Sequence, residues 1–127
     1  METARILVVE DNAMNMELAV DLLKLQGYVV FSARTGQEAL EITDREPLDL
    51  ILMDVQLPGM DGLTLTEKLK DNPKTKHIPV IALTAHAMKG DEERILRRGC
   101  SGYISKPINT RDFPKAVEKF IHETRKG

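Results

Sequence analysis

Short apolar runs recur along the chain with amphipathic stretches between them: Ile6 to Val9, Tyr28 to Ala33, Leu48 to Met53, Val80 to Leu83 and Tyr103 to Ser105. Their β-branched content predicts five strands. Ile6-Leu7-Val8-Val9 and Leu50-Ile51-Leu52-Met53 lack any apolar/polar alternation, which predicts central parallel strands covered on both faces.

The intervening stretches predict helices. Met14, Leu18, Leu22 and Leu25 fall at i, i+4, i+8 and i+11, a stripe that stops at Gly27, a suitable C′ residue. Thr35 followed by Glu38 fits a capping box opening a second helix through Ala39, Leu40 and Ile42, with Pro47 at its exit. A third helix runs from about Leu63 to Leu69, before the turn-rich Asp71-Asn72-Pro73. Asp91 to Arg98 reads as a short, charged fourth helix closed by Gly99. Phe113, Val117, Phe120 and Ile121 mark a fifth, with Pro114 in its first turn, where proline is tolerated. Strict β-α alternation predicts an α/β fold, a doubly wound five-stranded parallel sheet of order 2-1-3-4-5.

Composition narrows the function classes. A chain of 127 residues with 42% hydrophobic content suits one domain, residues 1–127, with a core that needs no disulfide. A formal charge of -2 leaves no cationic excess for a phosphate backbone, so nucleic-acid binding is disfavoured. The lone Cys100, the lack of a signal peptide and the short apolar runs predict a cytoplasmic protein without a membrane span. The sequence ends soon after the fifth helix, so no effector domain is expected and output falls to protein contacts.

In open parallel sheets chemistry gathers at the carboxyl ends of the strands, beside the switch point between strands one and three. Glu10 and Asp11 follow strand one and Asp54 follows strand three. Such carboxylates repel and raise each other's pKa unless a hard cation lies among them, with Mg²⁺ (or Mn²⁺) the natural choice. Each acid alone reads equally well as a helix N-terminal charge. Thr84 follows strand four, and Lys106 with Pro107 follows strand five; a hydroxyl and an ammonium there could bind phosphoryl oxygens. Taken singly, Thr84 is an ordinary cap residue and Lys106 an ordinary solvated lysine. A cis Lys106-Pro107 bond would aim the lysine back at the acids. Asp54 is the candidate nucleophile because it ends the central strand; Glu10 and Asp11 hold the metal, and Gln56 offers a backbone carbonyl.

The set Val9-Glu10-Asp11-Asn12, Met53-Asp54, Leu83-Thr84-Ala85 and Tyr103-Ile104-Ser105-Lys106-Pro107 resembles the response-regulator receiver domains of two-component signalling, whose fold is flavodoxin-like, and the 2-1-3-4-5 order is in part what this resemblance implies. Residues 85–94, with Gly99-Cys100 and Tyr103 to Ile108, are similar to single-domain regulators of cell division, and also to receivers joined to hybrid histidine kinases. The resemblance implies phosphotransfer to Asp54 from a phosphohistidine of a histidine kinase or phosphotransferase. Thr84 would be drawn to the phosphoryl group and Tyr103 would turn inward, reshaping the face of helix four, strand five and helix five for a downstream protein, as monomer or weak dimer. Without that context Tyr103 reads as a packed edge-strand residue with a wet hydroxyl. His86 receives no catalytic role. Met14, Met16, Met53, Met60 and Met88 read as core or near-core filler, Met88 with an alternative place on a partner-binding face. The acidic pair is Glu-Asp where many receivers have Asp-Asp, a departure that leaves metal binding intact.

Three other classes fit less well. A haloacid-dehalogenase-type phosphatase needs a titratable acid two residues after its nucleophile, and here that place is Gln56. The long-lived phosphorylated state expected without it suits a switch better than a turnover enzyme. A flavodoxin-like flavin carrier needs stacking rings, and the chain has no Trp, two Tyr and three Phe. A receiver-shaped module that only docks would have no use for the full residue set.

Overall fold

The apolar runs become β1 (Arg5–Val9), β2 (Val29–Ala33), β3 (Leu50–Asp54), β4 (Val80–Thr84) and β5 (Gly102–Ser105) in the computed structural model, which describes residues 3–85 and 89–126. All pairings are parallel and the order is β2-β1-β3-β4-β5, as the sequence predicts. β3 and β4 are buried along their whole length, whereas the edge strands β2 and β5 are partly exposed.

The helices are α1 (Ala13–Leu25), α2 (Gly36–Arg45), α3 (Gly62–Asp71), α4 (Lys89–Arg97) and α5 (Asp112–Lys126). Side chains alternate across the sheet, so each strand feeds two cores. Leu7, Val9, Ile51, Met53, Val80 and Ala82 pack with residues of α2, α3 and α4. Ile6, Val8, Leu50, Leu52, Ile81 and Leu83 pack with Met16, Ala19 and Leu23 of α1 and Phe113, Val117 and Ile121 of α5.

Local signals end the helices where expected. After α1, Gly27 takes φ +91° while its N–H donates to Lys24 and that of Tyr28 to Leu23, a Schellman closure. Gly99 repeats the device after α4 with φ +112°. Pro114 lies in the first turn of α5, and Thr35 Oγ1 caps α2 by accepting from Glu38 N at 3.1 Å. The return bond of the expected capping box is displaced by one residue: Glu38 Oε2 accepts from Arg34 N at 2.7 Å, not from Thr35.

The stripe expected on α1 is out of phase. Met16, Ala19 and Leu23 face the core, while Met14 is 81% and Leu25 84% exposed and Leu18 and Leu22 are only partly buried. α1 carries apolar residues on most of its circumference, so periodicity leaves the phase open and docking against the sheet decides it. Met14 is therefore surface rather than filler; Met16 and Met53 are buried, Met60 is partly buried against the core, and Met88 lies outside the described residues.

α3 begins one residue earlier than about Leu63, because Asp61 is its N-cap and accepts from Leu63 N at 2.8 Å and Thr64 N at 3.0 Å. Gly62 N donates to Val55 O at 2.8 Å, folding the chain back onto the end of β3. A Cβ at Gly62 would run into the Asp54 carbonyl oxygen. Gly62→Ala is expected to destabilise the domain by about 1–3 kcal/mol through overpacking. Urea unfolding checks this, and a loss within error of zero would show that the loop can yield.

Candidate functional site

Parallel pairing of β1 with β3 sets Val9 opposite Met53, so the next residue on each strand, Glu10 and Asp54, ends up side by side. Glu10 is fully buried and Asp54 is 3% exposed. Glu10 N donates to Ala33 O at 3.0 Å, and Asp54 Oδ1 accepts from Gln56 N at 3.0 Å, which fixes both acids through the backbone. Asp11, on the β1–α1 loop, is exposed, yet carboxylate oxygens of Glu10, Asp11 and Asp54 all lie within 4.8 Å of one another.

Lys106 crosses from the end of β5 and lies 2.8 Å from Glu10 Oε1 and 3.2 Å from Asp54 Oδ2. Its backbone N donates to Thr84 O at 2.8 Å, tying the ends of β4 and β5 together. The Lys106–Pro107 bond is cis, as the sequence suggested. Thr84 is buried at the end of β4. Ala82 pairs with Tyr103 and Thr84 with Ser105, so Thr84 and Tyr103 are diagonal neighbours on the α2–α3–α4 face.

The electrostatics follow from burial. Desolvation, then a hydrogen bond with Glu10, pushes the Asp54 carboxyl up to about 7. Burial also acts to raise Glu10, but the hydrogen bond with Asp54 and the Lys106 ammonium outweigh it and hold Glu10 below its usual range. Burial acts to lower Lys106, and its two carboxylate neighbours overcome it and raise the ammonium. The two carboxylates titrate as a coupled pair, with Asp54 pushed toward its neutral form and Glu10 toward its ionised form.

A divalent cation fits this donor set. Among the described residues Glu10 Oε1 is a buried oxygen with no well-aligned hydrogen-bond donor, and the ammonium of Lys106 lies 2.8 Å from it. Acids on two strand ends and a loop supply the hard oxygen ligands that Mg²⁺ takes. Gln56, expected to contribute its carbonyl, engages Asp54 through its N–H.

Residues 6–118 match the response regulator receiver domain. The chain belongs to that family. The polar-differentiation response regulator DivK of Brucella ovis is 49% identical over 119 residues, covering 94% of this chain and 97% of that protein. DivK of Brucella anthropi is 49% identical over 116 residues, covering 91% and 94%. Among solved structures, a CheY-like receiver of Methanospirillum hungatei is 30% identical, with TM-score 0.88 and 98% of each chain covered. The receiver domain of the sensor histidine kinase PA1611 of Pseudomonas aeruginosa, solved with a magnesium ion coordinated in its active site cleft, is 33% identical, with TM-score 0.84 and 95% and 99% covered. This receiver is therefore DivK-like, a phosphoacceptor signalling family, and the match lends nothing to the haloacid-dehalogenase alternative.

The receiver fold brings together Glu10, Asp11, Asp54 and Lys106, and sets Thr84 on the adjoining strand end. Tyr103 is partly buried against the core, and its hydroxyl donates to Glu92 of α4 rather than being left to water. His86 lies outside the described residues. Sequence reasoning missed Gly62, Arg34 and Glu92. Asp61-Gly62 carried a usable signal as an N-cap followed by the least bulky residue, whereas Arg34 and Glu92 look like any exposed charge until the strands are paired.

An unfolded aspartate titrates near the ordinary value of about 4. Between there and about 7 the folded receiver keeps a proton that the unfolded chain has lost, so the Asp54 contribution to stability falls as pH rises across that window. Metal-free wild type should lose stability relative to Asp54→Asn between pH 5 and pH 8. Parallel urea titrations in chelator test this; a constant difference between the two proteins would refute the raised carboxyl.

Proposed function

We propose that this receiver is a phosphorylatable switch in which Asp54 accepts the phosphoryl group from a phosphohistidine of a histidine kinase or phosphotransferase. An Asp54 carboxylate oxygen bonds to phosphorus as the phosphorus–nitrogen bond breaks, and the electron pair returns to the imidazole. The observation that carries the reading is the convergence of buried Glu10 and Asp54 with Asp11 and Lys106 at the strand ends.

Each residue has a distinct task. Glu10, Asp11 and Asp54, with the Gln56 carbonyl, hold Mg²⁺ (or Mn²⁺), which when bound neutralises charge on the phosphoryl oxygens. Lys106 already pairs with Asp54 and follows the phosphoryl oxygens as a point charge. Thr84 donates its hydroxyl to the phosphoryl group, and the Gln56 side chain has no titratable group to speed water attack, which favours a lasting signal over turnover.

Output runs through α4, β5 and α5. A cavity of about 720 Å³ on this face is lined by Leu96, Gly102, Tyr103, Ile104, Asp112 and Phe120 among others. Movement of Thr84 toward the phosphoryl group opens space for its diagonal neighbour Tyr103, releasing the Glu92 contact and reshaping the face that a downstream protein reads. The whole chain acts as one receiver domain, monomeric or weakly dimeric. No helix among the described residues is long and apolar enough to cross a membrane. The reading assigns the switch to the cytoplasm, where a kinase or phosphotransferase would meet it.

Incubation with a small acyl-phosphate donor and Mg²⁺, followed by intact-mass measurement, should add one phosphoryl group to wild type and none to Asp54→Asn. Chelation should abolish the gain. Phosphorylation of Asp54→Asn to the wild-type extent would place the acceptor elsewhere. Tyr103→Phe should accept phosphate normally yet lose at least half of the phosphorylation-induced chemical-shift change in α4; an unaltered change would remove Tyr103 from the switch.

A further inference from the structure

Glu10 and Asp54 are held rigidly by burial, backbone bonds and Lys106, but the third acid of the cluster is exposed on a loop. Its place depends on what fixes the loop backbone. Arg34, just past the end of β2, reaches across and donates from Nη2 to the Asp11 carbonyl oxygen at 3.2 Å. The base of that arm is itself anchored. Arg34 N donates to Glu38 Oε2 at 2.7 Å, Thr35 caps α2, and the preceding Ala33 carbonyl accepts from Glu10 N at 3.0 Å.

We propose that Arg34 is a positioning residue for the metal site, clamping the Asp11 backbone so that its carboxylate is presented to the cation beside Glu10 and Asp54. The proposal rests on the metal-binding reading above. Charge and clamp act on metal binding with opposite signs. A guanidinium near a divalent cation opposes metal binding by charge alone, so removing it should tighten binding if electrostatics dominate. If the clamp dominates, removal frees the loop and binding weakens.

The test uses unphosphorylated protein, with Mn²⁺ alone followed by loss of its free-ion magnetic resonance signal and Mg²⁺ followed by calorimetry. Arg34→Gln should weaken both by about 3- to 10-fold, at or below the roughly 10-fold lower bound typical of groups that hold a metal ligand in place, because this contact is exposed. Its thermal melting curve in chelator should match wild type, separating positioning from folding. Arg34→Lys, which retains a cationic donor, should recover part of the loss. Equal or tighter binding by Arg34→Gln would overturn the proposal while leaving the site reading intact. Absence of binding by wild type would overturn both.

Discussion

Two carboxylates, Glu10 and Asp54, end adjacent parallel strands with almost no exposed surface, and one ammonium, Lys106, faces both. Charges removed from water are costly unless paired, and here two negatives share one fixed positive. Desolvation, then the neighbouring Glu10, pushes the Asp54 carboxyl up to about 7, toward its neutral form. Under the proposed phosphoacceptor role, a cation among these oxygens would favour the ionised form that a nucleophile needs. Most of the domain serves to keep this imbalance in place.

The sheet does so through register. Because β1 and β3 are neighbours, their ends deliver the two acids together, and because β4 lies between β3 and β5, Thr84 and Lys106 arrive at the same edge. The backbone around Asp54 is closely fitted: Gln56 N–H meets its side chain, and Gly62 packs on its carbonyl with no room for a Cβ. Small displacements at the acid therefore reach the start of α3 without passing through flexible side chains.

α4 is held differently. Among its described residues Ile95 is the one buried in the core on the α2–α3–α4 face, Leu96 is half exposed, and polar contacts join the helix to its neighbours. Near one end Tyr103 donates to Glu92; just past the other, Arg98 reaches Glu67 at 2.7 Å and Thr64 at 3.2 Å on α3. An element held by a few exchangeable polar bonds and little apolar burial can shift at modest free-energy change, which is what a signalling face requires.

The five strands, the helix stops at Gly27 and Gly99 and the acids that follow the strands were legible in the sequence, because β-branched runs, glycine conformations and strand-end chemistry are local properties written residue by residue. The β2-β1-β3-β4-β5 order is a long-range property that the family resemblance supplied in part and strand pairing decided. The buried face of α1 was not legible, since its apolar residues encircle the helix and only docking on the sheet selects Met16, Ala19 and Leu23 over Met14 and Leu25. Tertiary structure alone also decided that a Cβ at Gly62 would meet the Asp54 carbonyl, that Glu92 receives Tyr103 and that Arg34 grips the Asp11 backbone. Each of these joins segments far apart in the chain or separated by a turn, and a contact of that kind exists only once strand register has set the distance between them.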